Sequence, residues 1–268
     1  MRFVDAHNHL QDSRLNQVRE GVLAECVAIG VVRSVVNGTN PCDWSDVTRL
    51  ADIHPWIVPS YGVHPWYLEN LPSTWRDDLL SALNARPSAV GEIGIDHWKE
   101  RIDRSLQEEI FVEQLAIARD RNLPVTIHGL KAWDRLLQLL TTHKPPQVGF
   151  LLHSYSGPAH LVAPFIRLGA YFSCAPSFFA QSRAKKLAVF SSIPLDRLLP
   201  ETDAPDQAPP RELDGYNLEL DNSYINHPGN IQVVYTGLSD LFGVPLDVVS
   251  TQFEDNFERL FGGICKGY

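Results

Sequence analysis

Short apolar runs rich in β-branched and aromatic residues recur along the chain. Between them lie stretches in which apolar positions return every three or four residues. The first kind predicts strands at residues 2–7, 34–37, 56–63, 89–95, 124–128, 148–153, 170–174 and 197–201. The second kind predicts helices at 17–29, 43–53, 75–83 and 105–122. The last of these is the clearest. Leu106, Ile110, Phe111, Leu115, Ile117 and Ala118 share one half of its wheel, and Glu108, Glu109, Glu113, Arg119 and Asp120 the other. Pro124 ends it and opens the apolar run Val125-Thr126-Ile127. Strands alternating with helices at this spacing imply parallel strands joined by helical crossovers. Both a closed barrel and an open doubly wound sheet satisfy that pattern, and the eight predicted strands match the barrel.

A stretch rich in Pro, Asp and Asn at 205–228 predicts a long loop after the last strand. No repeat, low-complexity tract or internal boundary interrupts the chain, so residues 1–268 read as one domain. That length suits a single α/β barrel of roughly 250 residues. With 44% hydrophobic and 21% charged residues, the composition is that of an ordinary globular enzyme. The N-terminus lacks the layout of a signal peptide, and no apolar run reaches the ~20 residues needed to span a bilayer. The expectation is a cytoplasmic protein without a membrane or an obligate protein partner, and a monomer. Cys26, Cys42, Cys174 and Cys265 are scattered, which predicts buried free thiols in a reduced compartment. The formal net charge of -9 argues against a broad electrostatic grip on nucleic acid.

Polar residues interrupt the apolar runs at a few places, and these carry the candidate chemistry. Asp5-Ala6-His7-Asn8-His9 closes the first strand. Residues two apart on an extended chain point the same way, so His7 and His9 can face one cation together. Gly91-Glu92-Ile93-Gly94-Ile95-Asp96 sets a carboxylate within an apolar strand, where it needs a partner. Val125-Thr126-Ile127-His128 and Phe150-Leu151-Leu152-His153 each end in His, and Leu198-Leu199-Pro200-Glu201-Thr202-Asp203 ends in acids. Each alone has an ordinary explanation: an exposed strand end, a salt-bridged Glu, a hydrogen-bonded His, a solvated carboxylate at a turn. Together, His7, His9, Glu92, His128, His153 and Asp203 fall at or just beyond the carboxyl ends of predicted strands, the face on which catalytic groups converge in a barrel. Two divalent cations there outweigh the two carboxylates. That is how an acidic protein can attract phosphate without a basic surface.

The motifs H-x-H-L at 7–10, G-E-I-G-I-D at 91–96, I-H at 127–128, H-S-Y-S-G at 153–157 and E-T-D-A-P at 201–205, in this order, resemble the TatD-like deoxyribonucleases of the amidohydrolase superfamily. The resemblance runs through nearly the whole chain. It implies a (β/α)8-type TIM barrel with its metal site at the carboxyl ends of the strands. It also implies two divalent ions (Zn, Mg, Mn or Co), one held by His7, His9 and Asp203, the other by His128 and His153, with Glu92 shared between them. Asp203 and Glu92 are then the catalytic residues, Asp203 orienting the attacking water and accepting its proton.

Gly62-Val63-His64-Pro65 resembles a family motif whose His faces the substrate phosphate. Two departures stand beside it. Trp66 occupies a position where the family often has His. Leu130 stands where many members carry Arg, with Lys131 beside it as a candidate substitute for phosphate binding. Asp96 reads as a turn cap and Arg211 as a surface residue. Trp66, Trp98, Trp133 and Tyr155, near strand ends, are candidate platforms for stacked bases, although core packing is the commoner role of such residues. The expected function is a metal-dependent DNase, an exonuclease on single-stranded or frayed DNA. The alternatives are hydrolysis of another ester or amide, such as D-aminoacyl-tRNA, a small phosphoester or a lactone, and a non-catalytic protein with a structural metal.

Overall fold

A computed structural model describes residues 1–99 and 101–265. Strands β1 (Phe3–Asn8), β2 (Val31–Asn37), β3 (Ile57–Tyr61), β4 (Ala89–Asp96), β5 (Val125–Leu130), β6 (Phe150–Leu152), β7 (Ala170–Cys174) and β8 (Leu198–Pro200) form one sheet in sequential order. Every pairing along it is parallel. Helices α1 (Arg19–Ile29), α2 (Trp44–Ile53), α3 (Trp75–Ala85), α4 (Arg104–Arg121), α5 (Trp133–His143), α6 (Val162–Arg167) and α7 (Ala184–Phe190) occupy the crossovers. Helices α8 (Ile231–Phe242) and α9 (Leu246–Cys265) follow the long loop. Within that loop, Glu219–Leu220 and Ser223–Tyr224 form a small antiparallel pair that the turn-rich composition had concealed. Among the described residues, no single helix is long and apolar enough to cross a membrane.

The sheet curls into a nearly closed barrel. The ends of β8 and β1 meet through backbone hydrogen bonds from Asp203 N to His7 O (2.9 Å) and from His9 N to Ala204 O (2.7 Å). Asp5 staples this seam. Its carboxylate accepts from Thr202 N (3.0 Å) and Oγ1 (2.6 Å) across the gap, and from Asn8 Nδ2 (2.9 Å) and His7 N (3.3 Å) on its own side. Burial pushes its carboxyl up to about 7 despite these bonds. The seam therefore sets the backbone from which His7, His9 and Asp203 project.

Gly94 fixes the approach of the next pair. It lies in register with His128, and a Cβ there would come within 2.0 Å of the His128 carbonyl oxygen. With φ at +153°, this position needs glycine on both counts. The helices pack on the outside of the barrel through aromatic contacts. Trp133 of α5 meets Tyr155 edge-on at 4.6 Å, and Tyr155 meets Phe172 of β7 at 5.0 Å. Both residues are buried, so of the four candidate platforms Trp133 and Tyr155 are core. Cys26 and Cys174 are buried as expected, and Cys265 is half-buried. Cys42 departs from the expectation: it sits exposed in the turn before α2, where burial is not required.

Candidate active site

All six residues expected at the carboxyl face come together there. Glu92, on β4 and 2% exposed, stands at the centre. Its Oε2 faces His9 Nε2 at 3.2 Å and His7 Nε2 at 3.4 Å. Its Oε1 faces His128 Nδ1 at 3.0 Å and His153 Nε2 at 3.1 Å. Asp203 Oδ1 completes the first group, 3.3 Å from His7 and 3.5 Å from His9. Asp203 lies past the end of β8 at φ +53°, held by its amide bond to the His7 carbonyl. Candidate ligand atoms lie within 4.8 Å of one another in the overlapping sets His7–His153–Asp203, His7–His9–Glu92 and His64–Glu92–His128. The first of these sets crosses the grouping implied by the resemblance, since the rings of His7 and His153 stack at 4.0 Å.

The outer nitrogens of the rings decide what the inner ones can do. His9 Nδ1 meets the carbonyl oxygen of Asn37 at 2.8 Å, and His128 Nε2 meets Asp96 Oδ2 at 3.0 Å. His153 Nδ1 faces Glu201 Oε1 at 3.5 Å. These outer oxygens only accept, as does Glu92 on the inner side, so a ring that binds a cation through its inward nitrogen can keep its proton on the outer one. Inward nitrogens then face each other at 3.2 Å (His7–His9) and 3.4 Å (His128–His153). Each of these nitrogens also lies within 3.4 Å of a Glu92 oxygen, so either protons or a cation can occupy the space between them. A set of imidazoles and carboxylates arranged in this way fits a divalent metal. When protons take that place, burial opposes charging of His9, yet Glu92 and Asp203 draw its pKa up to about 9. Burial likewise opposes ionisation of Glu92, but the imidazoles of His64, His153 and His7 hold its carboxyl well below the usual range. Cation uptake therefore displaces protons, and affinity weakens as pH falls.

His64 differs from the other four. Its Nδ1 accepts from the backbone N–H of Trp66 at 3.1 Å, so in the neutral ring Nε2 carries the proton. Burial pushes its pKa down to about 4, which keeps it neutral at physiological pH. Nε2 lies 3.4 Å from Glu92 Oε1. His64 is thus built to donate at the edge of the cluster, and it supplies no free lone pair for a metal.

Asp96 does more than cap a turn. Oδ1 accepts from Trp98 N at 2.7 Å, as the sequence suggested, while Oδ2 accepts from Trp66 Nε1 at 2.6 Å and orients His128. Asp96→Ala is expected to weaken divalent-cation affinity by about 10–100-fold in calorimetric titration, because the ring loses its outer acceptor. Asp96→Asn, which keeps an acceptor oxygen, should lose less. Glu201, at a strand end where its position suggests a solvated carboxylate, has a different setting. It is fully buried, accepts from Ser154 N (2.8 Å), Ser154 Oγ (2.6 Å) and Ser173 Oγ, and backs His153.

A cavity of about 540 Å³ opens above the cluster, with Trp66, Trp98, Leu130, Phe178, Arg183 and Lys186 among its walls. Trp98 is 53% exposed and Trp66 half-buried. Lys131 is not on this lining. Strand β5 runs on to Leu130, which faces the cavity, and at Lys131 φ turns to +55° and the side chain is exposed. The cations on the cavity wall are instead Arg183 and Lys186, around the start of α7. Arg211 is an exposed residue paired with Glu219 and lying over Tyr224.

A family model described as "TatD related DNase" matches residues 4–262. The chain belongs to the TatD-related DNase family. Members similar to it include YjjV of Escherichia coli K12, named an uncharacterized metal-dependent hydrolase, 29% identical with 97% of this chain and 98% of YjjV covered. The crystal structure of that TatD homologue superposes with a TM-score of 0.87 at 28% identity, covering 97% of this chain and 98% of YjjV. The "3'-5' ssDNA/RNA exonuclease TatD" of Escherichia fergusonii is 27% identical, covering 95% of this chain and 96% of its own length. This TatD-family chain is accordingly a metal-dependent hydrolase on a parallel eight-stranded barrel, with His, Glu and Asp clusters able to hold metal at the carboxyl face.

Proposed function

We propose that this chain is a nuclease that cleaves phosphodiesters of single-stranded or frayed DNA with two divalent ions. The observation that carries the proposal is the division of Glu92: one oxygen faces His7 and His9, the other His128 and His153, on the floor of an open cavity. His7, His9 and Asp203 would hold one ion and His128 and His153 the other, with Glu92 shared. When bound, such ions lower the pKa of a water and offset charge on the phosphoryl oxygens.

The chain's own residues do the rest. Asp203 is buried, which opposes ionisation, but the His7 hydrogen bond and the charges of His153, His7 and His9 hold its pKa below the usual carboxylate value. It is therefore ionised at neutral pH and placed to accept the proton of the attacking water. His64 offers its Nε2–H to a phosphoryl oxygen. Trp98, exposed on the cavity wall, presents a face against which a terminal base can stack, whereas Lys99 Nζ lies 3.6 Å over the ring of Trp66. The E. fergusonii relative, named as an ssDNA/RNA exonuclease, supports the choice of substrate.

End-labelled single-stranded DNA, incubated with protein reconstituted in turn with Mg, Mn, Zn or Co, tests the proposal. The label should shorten stepwise with metal and stay intact with chelated protein. An oligonucleotide that survives every metal, while a carboxylic or aminoacyl ester is hydrolysed, would transfer the same centre to ester chemistry.

A further inference from the structure

The walls of the cavity differ in charge. Toward β1 and α2 a second hollow of about 460 Å³ shares His9, His64, Trp66, Glu92 and, at the boundary, Asp206 with the first and is lined further by Asp12, Asp43 and Arg14. Arg14 is held between two of those carboxylates, Asp12 at 2.8 Å and Asp206 at 2.7 Å. That guanidinium is thus already matched, while Asp43 accepts only from the neutral donors of Thr39 and Gln11. Asp46, on the same wall, is paired with Arg49 at 2.8 Å. This side repels a polyanion.

The α7 side is the reverse. Arg183 is half-buried, its Nη1 donating to Ser177 Oγ (2.8 Å) and Gln207 Oε1 (3.0 Å), with its guanidinium over the ring of Phe178 at 5.6 Å. Those neutral partners fix the side chain without matching its charge. Lys186 follows three residues later, exposed on the same wall. Among the described residues, neither cation has a carboxylate partner. A held guanidinium and a free ammonium, both unmatched and both on the wall of the reaction cavity, form a recognition element for phosphate.

We infer that Arg183 and Lys186 form a subsite for the phosphate next to the one being cleaved. The substrate strand leaves the metal cluster over α7 and away from the Asp12–Asp43–Asp206 wall. The inference rests on the nuclease reading and adds a substrate preference to it, for at least two phosphates on a flexible single strand. It also accounts for an acidic protein engaging nucleic acid: the attraction is confined to one wall.

The metal-reconstituted protein is assayed on a dinucleoside monophosphate, which has no second phosphate, and on an oligodeoxynucleotide of about a dozen residues. Arg183→Ala/Lys186→Ala should worsen KM for the oligonucleotide relative to the dinucleotide by about tenfold. The slope of log KM against log salt for the oligonucleotide should fall by about 1.4, at ~0.7 per cation removed from a single strand. Lys186→Glu alone, at an exposed position that folding does not require, should move the KM ratio in the same direction. A wild type that cleaves the oligonucleotide, paired with variants whose KM ratio and salt slope match it, would overturn the subsite and leave the nuclease standing. A wild type inert on both substrates would overturn the nuclease reading and the subsite with it.

Discussion

Glu92→Gln is expected to lower kcat/KM by about three orders of magnitude and to remove the thermal stabilisation that divalent cation gives the wild type. The first figure follows from the several kcal/mol of transition-state charge stabilisation that bound metal supplies, at about 1.4 kcal/mol per factor of ten. The substitution keeps the shape of the side chain. It removes the negative charge that lies within 3.4 Å of His7, His9, His128 and His153 at once. Among the described residues, no other one touches both imidazole groups through separate oxygens. A ligand present at 100 times its Kd stabilises by about 2.7 kcal/mol per site, which in a domain of this size raises Tm by at least ~5 °C. Thermal melts of both proteins, each with chelator and with saturating Mn or Zn, read the effect directly. If the cluster were only an ion-paired network, the variant would melt lower with chelator and still respond to metal as the wild type does.

The strand pattern gave eight parallel strands with helical crossovers, and the order of the strand-end motifs, through the family resemblance, chose the barrel over an open sheet. The apolar pattern missed strand ends where backbone geometry, not side-chain pattern, decides them. Gly30, at φ +99°, stops α1 and lets β2 begin at Val31, three residues before the apolar pattern suggested. Gly149, at φ +107° and packed against the Gly169 carbonyl, keeps β6 from starting until Phe150. The six central site residues were legible because each closes or, as Glu92 does, interrupts an apolar run, where a polar residue needs a partner.

The residues that support them were not legible, because their partners lie far away in sequence. Glu201 meets Ser154 and Ser173 across 47 and 28 positions, and no local pattern announces either bond. Asp96 was visible only as a turn cap, since its second oxygen works through a ring 32 residues on. Lys131 neighbours the site in sequence but turns outward, while Arg183 and Lys186 reach the cavity wall from a segment with no distinctive spacing. Sequence order thus located the chemistry, and packing alone located what orients it.

Asp203→Asn should separate proton transfer from cation binding at the same position. Asp203 has φ of +53°, a left-handed conformation that Asn tolerates better than most residues, so the exchange adds little backbone strain. Its backbone anchors persist, since Asp203 N donates to His7 O and Asp206 N to Asp203 O whatever the side chain. The amide retains an oxygen near His7 and His9, where it can still serve as a weaker ligand, but it cannot take a proton from water. The expected result is a fall in kcat of about 10²–10⁴-fold, the usual contribution of a positioned general base, with KM changed far less. Calorimetric titration should find cation binding weakened and still measurable. Loss of cation binding comparable to Glu92→Gln would make Asp203 chiefly a ligand. Full turnover in the variant would place the proton acceptor elsewhere, and Asp203→Ala could not make that distinction because it removes oxygen, charge and the left-handed preference together.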